Sequence, residues 1–237
     1  MYFLKNKDKF KKFENKIIHV IVDDMPEIKE SRWELENFQR NAIIRGLKKC
    51  KPDDIILISD VDEIPCPKKI TEIKNNMKTT NKIIKKILEI SKSIYLKIKN
   101  NKILSLPFKI ILSYPIILFK NKNYAYYLNG FVDDRWIGTA AVRYDDLVNI
   151  YGEKPQMIRD IRSRFFVFLN MVDGGWHFSY LGGPERIQYK LKSFAHAEYD
   201  TTETTKLDNI NKLINEAKTI DNKKIHFVKI DESFPNT

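Results

Sequence analysis

The run Ile55-Ile56-Leu57-Ile58-Ser59-Asp60-Val61-Asp62-Glu63-Ile64-Pro65 constrains this chain more than any other stretch. Four aliphatic residues in succession, with no polar alternation, describe a strand buried on both faces. Pro52-Asp53-Asp54 precedes it, and Pro65 and Pro67 bar its continuation. Residues 17–22, Ile-Ile-His-Val-Ile-Val, form a second β-branched run bounded by Asp23-Asp24 and Pro26, the signature of a buried strand. Between the two, Leu35, Phe38, Ala42, Ile43 and Leu47 fall at helical spacing within residues 31–49, with Ser31 as N-cap and Glu34 as its capping-box partner. Glu36 and Arg40 lie four apart on that helix and can pair. Strand, helix, strand predicts an α/β sheet with some parallel pairing.

Elsewhere the elements are weaker in outline. Residues 10–16 are basic and close a helix, and residues 68–101 read as one or two amphipathic helices with solvated lysine faces. The apolar stretch 103–119 is broken by Pro107, Lys109 and Pro115 and reads as buried strands or turns, with a membrane-surface contact as the lesser reading. Residues 124–129 and 135–142 are β-rich, 145–151 form a short helix ending at Gly152, and Arg159, Arg162 and Arg164 lead into a strand at 165–169. Paired glycines then flank an aromatic core at 173–183, followed by a helix over 184–197 and a helical tail over 201–218. Without repeats or a linker, the 237 residues read as one domain, 1–237, with 198–237 peripheral.

Forty-two basic against 31 acidic residues leave a net charge of +11, which favours an anionic partner: nucleic acid, a membrane surface or a phosphate-bearing substrate. Lysines mixed with Ile and Asn also read as the codon drift of an AT-rich genome, such as that of a bacterium or large DNA virus. Cys50 and Cys66 are too few for a disulfide framework and lack metal-ligand spacing, so a reducing, cytoplasmic compartment is expected. No signal peptide and no uncharged apolar stretch of about 18 residues is present.

Chemistry concentrates at the end of the first run. Ligands of open α/β sheets bind at the carboxyl ends of strands, and residues two apart on a strand share a face. Asp60 and Asp62 can therefore point at one hard cation, Mg2+ or Mn2+, held partly by carboxylates and partly by diphosphate oxygens. An Asp-x-Asp alone is common in loops. His177, between Trp176 and Phe178, is by residue type more often a packed core histidine than a ligand, and the same holds for His196. His19 and His226 carry no signal.

These stretches together resemble glycosyltransferase family 17, the bisecting β-1,4-N-acetylglucosaminyltransferase family. The carrying residues are 33–47, with Glu36, Gln39, Arg40 and Asn41; 54–65; Tyr127-Leu128-Asn129 with Trp136-Ile137-Gly138-Thr139; Arg159 with Arg162; and 174–183 running into 190–198. The resemblance implies a GT-A-like nucleotide-sugar-binding sandwich with a mixed, mostly parallel sheet, and inverting transfer of N-acetylglucosamine from UDP-GlcNAc to a glycan or glycoprotein hydroxyl. By the same resemblance Asp60 faces the ribose or metal, Asp62 coordinates the metal, and His177 is its third ligand. Arg40, Asn41, Ser59 and Val61 complete the nucleotide contacts. An inverting transfer needs a carboxylate base, for which Glu185 leads, with Asp173, Asp133 and Asp134 as alternatives. Tyr127, Trp136 and Trp176 suit stacking on an acceptor sugar, or equally a core. The chain starts where family members already have a strand and helix, so a sheet without the first family strand is expected, and the membrane anchor of animal relatives has no counterpart.

Three rivals remain. Haloacid-dehalogenase-like phosphatases also place Asp-x-Asp after an apolar strand; Asp60 would be nucleophile, Asp62 acid/base, and Asp133-Asp134 the metal carboxylates, although Ile64 stands where a Thr is usual. An anion-binding module would use the +11 charge on nucleic acid. A degenerate, non-catalytic glycosyltransferase-like protein is the third.

Overall fold

The computed structural model describes residues 2–28, 30–77, 82–112, 115–161 and 171–235. Its helices, in chain order, are α1 (Tyr2–Lys5), α2 (Trp33–Asn41), α3 (Pro67–Asn76), α4 (Lys82–Ile98), α5 (Lys102–Leu112), α6 (Tyr144–Asn149), α7 (Pro155–Ile161), α8 (Pro184–Ser193) and α9 (Leu207–Asn215). The strands are β1 (Ile55–Ile58), β2 (Glu63–Pro65), β3 (Ile117–Ala125), β4 (Gly130–Arg143), β5 (Met171–Ser179) and β6 (Ile225–Phe227).

Among the described residues six strands share one sheet in the order β1-β4-β3-β5-β2, with β6 also on β4. Because β3 runs along nearly the whole of β4, β1 and β6 divide its other edge, β1 at 140–143 and β6 at 130–132. The fold is α/β, but the expected parallel majority is corrected: β3 and β5 are parallel, and the other four pairings are antiparallel. One expected parallel partner is missing at residues 17–22. They form no strand: Ile18 is 68% and Ile21 44% exposed, and Ile18 and Val20 merely rest against Gly46. Among the described residues β1 is thus left as an edge strand with the antiparallel β4 as its neighbour, without the parallel partner expected through α2.

Helices cover both faces. Ile56 and Ile58 of β1, Leu118 of β3 and Val142 of β4 pack with Leu88 and Tyr95 of α4, Leu112 of α5, Leu147 of α6 and Ile158 of α7. On the opposite face Leu57, Phe119 and Ala141 meet Ile70 and Ile73 of α3. A third cluster joins Tyr126, Val132, Ile187, Leu191, Ile210 and Ile225. The C-terminal segment is thus built into the sheet through β6 and α9, which corrects its peripheral placement.

Local chemistry explains α2. Glu34 Oε1 accepts the Ser31 N–H at 3.1 Å and Ser31 Oγ accepts the Trp33 N–H at 3.1 Å, closing the chain entry as a capping box does. The stretch read as strands or turns at 103–119 is instead the helix α5 followed by the start of β3. Ser105, Phe108 and Leu112 turn inward at helical spacing, and that packing overrides Pro107 inside the helix. The strand expected at 165–169, with Arg162 and Arg164, lies outside the described residues. Among the described residues no helix is long and apolar enough to cross a membrane.

Candidate active site

β1 ends at Ile58, the chain turns through 59–62, and β2 pairs antiparallel with β5 so that Glu63 stands opposite His177. The Asp62 carbonyl accepts the Phe178 N–H at 2.9 Å, tying the turn to β5. Ser59 Oγ and Thr139 Oγ1 lie 2.6 Å apart, anchoring the turn to β4. Val61 projects fully into solvent, so Asp60 and Asp62 on either side face the protein.

Asp60 lies under two guanidiniums. Arg40, 9% exposed, donates to Asp60 Oδ1 at 3.2 Å, to Glu36 Oε1 at 2.5 Å and to Gln156 Oε1 at 2.5 Å. Arg159, from α7, pairs with the other Asp60 oxygen and reaches Glu63 Oε1 at 3.4 Å. Asn41 Oδ1 accepts the Gln156 N–H at 3.0 Å and fixes α2 to α7. The Glu36–Arg40 pair is therefore more than a solvated helix pair, since the same guanidinium spans two further acceptors.

Glu63 is the buried centre of this network. Its carboxylate has no solvent exposure, accepts Trp136 Nε1–H at 2.8 Å on Oε1, and accepts the Asp60 N–H at 3.1 Å on Oε2. Burial pushes its carboxyl up from the usual range, against the Trp136 hydrogen bond and the Arg159 charge. Burial likewise pushes the Arg159 guanidinium down, against Asp60 and Glu63. With both oxygens engaged, Glu63 holds the site rather than moving a substrate proton. Space is tight around it: a Cβ on Gly138 would stand 2.2 Å from Asn121 Nδ2 and 3.2 Å from Glu63 Cδ, and one on Gly175 2.4 Å from Asn121 Oδ1. Glycine keeps room for the buried Asn121 amide beneath the carboxylates.

Asp62 has a different set of partners. Lys190 of α8 donates to its Oδ2 at 3.0 Å, and His177 Nε2 lies 3.6 Å from the same oxygen. Burial works to raise the Asp62 carboxyl, but the nearby His177 and the Lys190 hydrogen bond and charge hold it well below the usual carboxylate range. His177 Nδ1 lies 2.8 Å from Asn123 Oδ1, and its ring stacks on Trp136 with centroids 4.1 Å apart and planes 6° apart. Asn123 thereby takes Nδ1, leaving Nε2 toward Asp62, the arrangement that orients a metal-binding histidine. Asp62 and His177 therefore fit a divalent cation that completes its shell with phosphate oxygens and water. Asp60 does not join them, because Arg40 and Arg159 hold it, and no group of three metal-binding side chains forms among the described residues. The structure brings Asp62 and His177 together and engages Asp60 with Arg40 and Arg159.

Other expected residues fall elsewhere. Trp176 projects from β5 opposite to His177, packs with Tyr124 and Phe178, and donates Nε1–H to the Ser233 carbonyl at 3.1 Å. Asp173 is exposed and pairs with Lys120 at 2.8 Å. With Lys122, Arg135 and Cys66 both line a cleft of about 430 Å³ on the α3 side of the sheet. Trp136 is spent on His177 and Glu63 rather than free for a sugar. Tyr127, exposed in the β3–β4 turn, meets Phe227 at 5.8 Å. Glu185 is exposed in the first turn of α8. The side chains of Asp133 and Asp134 lie outside the described residues. The sequence assigns no role to Glu63, Gln156, Asn123 or Lys190; Glu63 adjoins the Asp-x-Asp and Lys190 opens the 190–198 block of the resemblance, while Gln156 and Asn123 carry no local signal.

Residues 1–110 match the family model described as glycosyltransferase family 17. Arg40, Asp60, Asp62 and Glu63 lie inside this match, and Arg159, His177 and Lys190 beyond it. No curated protein and no solved structure matches the chain.

Proposed function

Membership in glycosyltransferase family 17, supported by the match over residues 1–110, is the premise from which we propose that the chain transfers N-acetylglucosamine from UDP-GlcNAc to a glycan hydroxyl with inversion. The observation that supports this reading best is the turn after β1, where one carboxylate lies under two guanidiniums and the next beside an imidazole and an ammonium. A nucleotide diphosphate needs that chemistry: fixed positive charge, and a carboxylate able to share a cation with it.

On this reading Asp60, held by Arg40 and Arg159, would face the ribose, and Asn41 keeps α2 and α7 in register beside it. Asp62 and His177 would hold Mn2+ or Mg2+, which when bound neutralises charge on the leaving diphosphate. Lys190 supplies a further positive charge at the same carboxylate, so the ammonium must be drawn off Asp62 as the donor enters. Glu185 is the proposed base. It precedes Lys190 by five residues on α8, about 7.5 Å along the axis, whereas Asp173 is committed to Lys120. Asp62 itself is a poor base, because its neighbours stabilise the carboxylate.

Incubation with UDP-GlcNAc, Mn2+ and a panel of oligosaccharides, followed by mass spectrometry and UDP detection, tests the reading. A product heavier by one N-acetylhexosamine, lost in Asp62→Ala, is the expected result. Donor binding without turnover would instead identify a degenerate member. Hydrolysis of a phosphate ester without donor would favour the phosphatase, a reading already disfavoured because a nucleophilic Asp60 would have to leave two guanidiniums.

A further inference from the structure

The candidate site leaves most of the positive charge unexplained. Residues 82–112 contain eight lysines (82, 85, 86, 92, 97, 99, 102 and 109) and one acid, Glu89, a net of 8 − 1 = +7 out of the chain's +11. They also form the α4–α5 hairpin, whose inward positions Leu88, Ser91, Tyr95, Ser105 and Leu112 pack on the body of the protein.

Its outward positions are apolar. Ile83, Ile87 and Ile90, spaced i, i+4 and i+7 on α4, are 74%, 48% and 55% exposed, and Ile103 and Leu104 at the start of α5 are 84% and 57% exposed. Lys82, Lys86, Lys97, Lys99 and Lys102 are exposed among them. Aliphatic side chains interleaved with lysines on one helix face match the headgroup boundary of an anionic bilayer, where the isoleucines enter the acyl region and the ammoniums meet lipid phosphates. Nucleic acid would satisfy the lysines but leave the isoleucines in water, since readers of nucleic acid place aromatic or polar side chains among the basic ones.

We propose that the outer face of the α4–α5 hairpin is a membrane-docking surface, which lays the protein on an anionic lipid bilayer without crossing it. Each lysine close to such a surface is worth roughly fivefold in partitioning at low ionic strength, so a handful of them with three inserted isoleucines gives salt-sensitive, reversible binding. The surface is independent of the sugar-transfer reading and stands if that reading fails.

Co-sedimentation of the full chain with vesicles of phosphatidylcholine containing 30% phosphatidylserine, against vesicles of phosphatidylcholine alone, tests it. The protein should pellet at least tenfold better with the anionic vesicles. Ile83→Ser/Ile87→Ser/Ile90→Ser and Lys82→Gln/Lys86→Gln/Lys97→Gln should each lower that binding about tenfold or more. All six side chains point outward, so unchanged circular dichroism and Tm should accompany the loss. Equal pelleting with both vesicle types, no pelleting with either, or variants that pellet like the parent would overturn the proposal. So would a serine-sensitive dimer in light scattering without vesicle binding, which would assign the face to a second copy, or binding of duplex RNA in place of vesicles.

Discussion

Glu63→Ala removes the acceptor at the centre of the candidate site, and its effect can be worked out from the contacts. Trp136 Nε1–H at 2.8 Å and the Asp60 N–H at 3.1 Å lose a buried partner, and Arg159 at 3.4 Å loses one of its two carboxylates. An unsatisfied buried donor costs about 1–3 kcal/mol, and breaking a buried ion pair about 3–5 kcal/mol. These losses are not additive, and Asp60 still holds Arg159, so a total near 3–5 kcal/mol is expected. For a chain of this size each kcal/mol moves Tm by about 2–4 °C, which places the Glu63→Ala transition roughly 6–20 °C below the parent. Glu63→Gln keeps an oxygen for Trp136 but turns an amide toward the Asp60 N–H, for a loss of about 1–2 kcal/mol. Scanning calorimetry at pH 7 measures both. The variants also differ in pH dependence. Burial raises the Glu63 carboxyl above its ordinary value of 4.5, so its proton stabilises the folded state below that value and this contribution is lost as pH rises through the folded one. Glu63→Gln should lack that decline. A Glu63→Ala protein melting within 2 °C of the parent would refute the network.

Gly138→Ala places a methyl 2.2 Å from Asn121 Nδ2 and against Glu63; a loss of about 1–3 kcal/mol in denaturant unfolding is expected, and full stability would show the pocket to be looser than described. Asp62→Asn should reduce acid sensitivity with the opposite sign to Glu63. The depressed Asp62 carboxyl stabilises the fold above its ordinary value of 3.8, and that contribution is lost as pH falls through the lower folded value; parent and variant unfolding alike between pH 5 and 2 would contradict it. Lys190→Met frees Asp62 Oδ2 of its ammonium, so Mn2+ should bind the nucleotide-free variant several-fold tighter by electron paramagnetic resonance, and equal affinity would show that Lys190 and the cation do not compete.

The local features were legible in the sequence where one element decides them. The apolar run at 55–58 is β1, Ser31 and Glu34 hydrogen-bond at the entry to α2 with Arg32 as the N-cap one residue after the expected Ser31, and the helix after the paired glycines is α8. Pairings were not legible, because periodicity reports burial and not the neighbour. Residues 17–22 have the composition of a strand, yet β1 is not paired with them, and the antiparallel majority comes from the β1–β4, β2–β5, β3–β4 and β4–β6 pairings, which no local pattern reports. Residues 102–112 carry a proline that argues against a helix, but contacts with α4 decide otherwise. In the site, Asp60 and Asp62 stand out by spacing, whereas their partners do not. Arg159 lies 99 residues from Asp60, and Lys190 lies 128 from Asp62. Only the fold brings them together, and it gives Asp60 two guanidinium partners that spacing alone did not assign to it.

The most direct test of the account is calorimetric titration of UDP-GlcNAc into the parent protein and into Asp62→Ala, each with and without Mn2+. Binding by the parent that strengthens at least tenfold with Mn2+, and that loses this gain in the variant, is the predicted result. A folded parent protein that takes up no UDP-GlcNAc under either condition, or an Asp62→Ala variant that keeps the full Mn2+ effect, would contradict it.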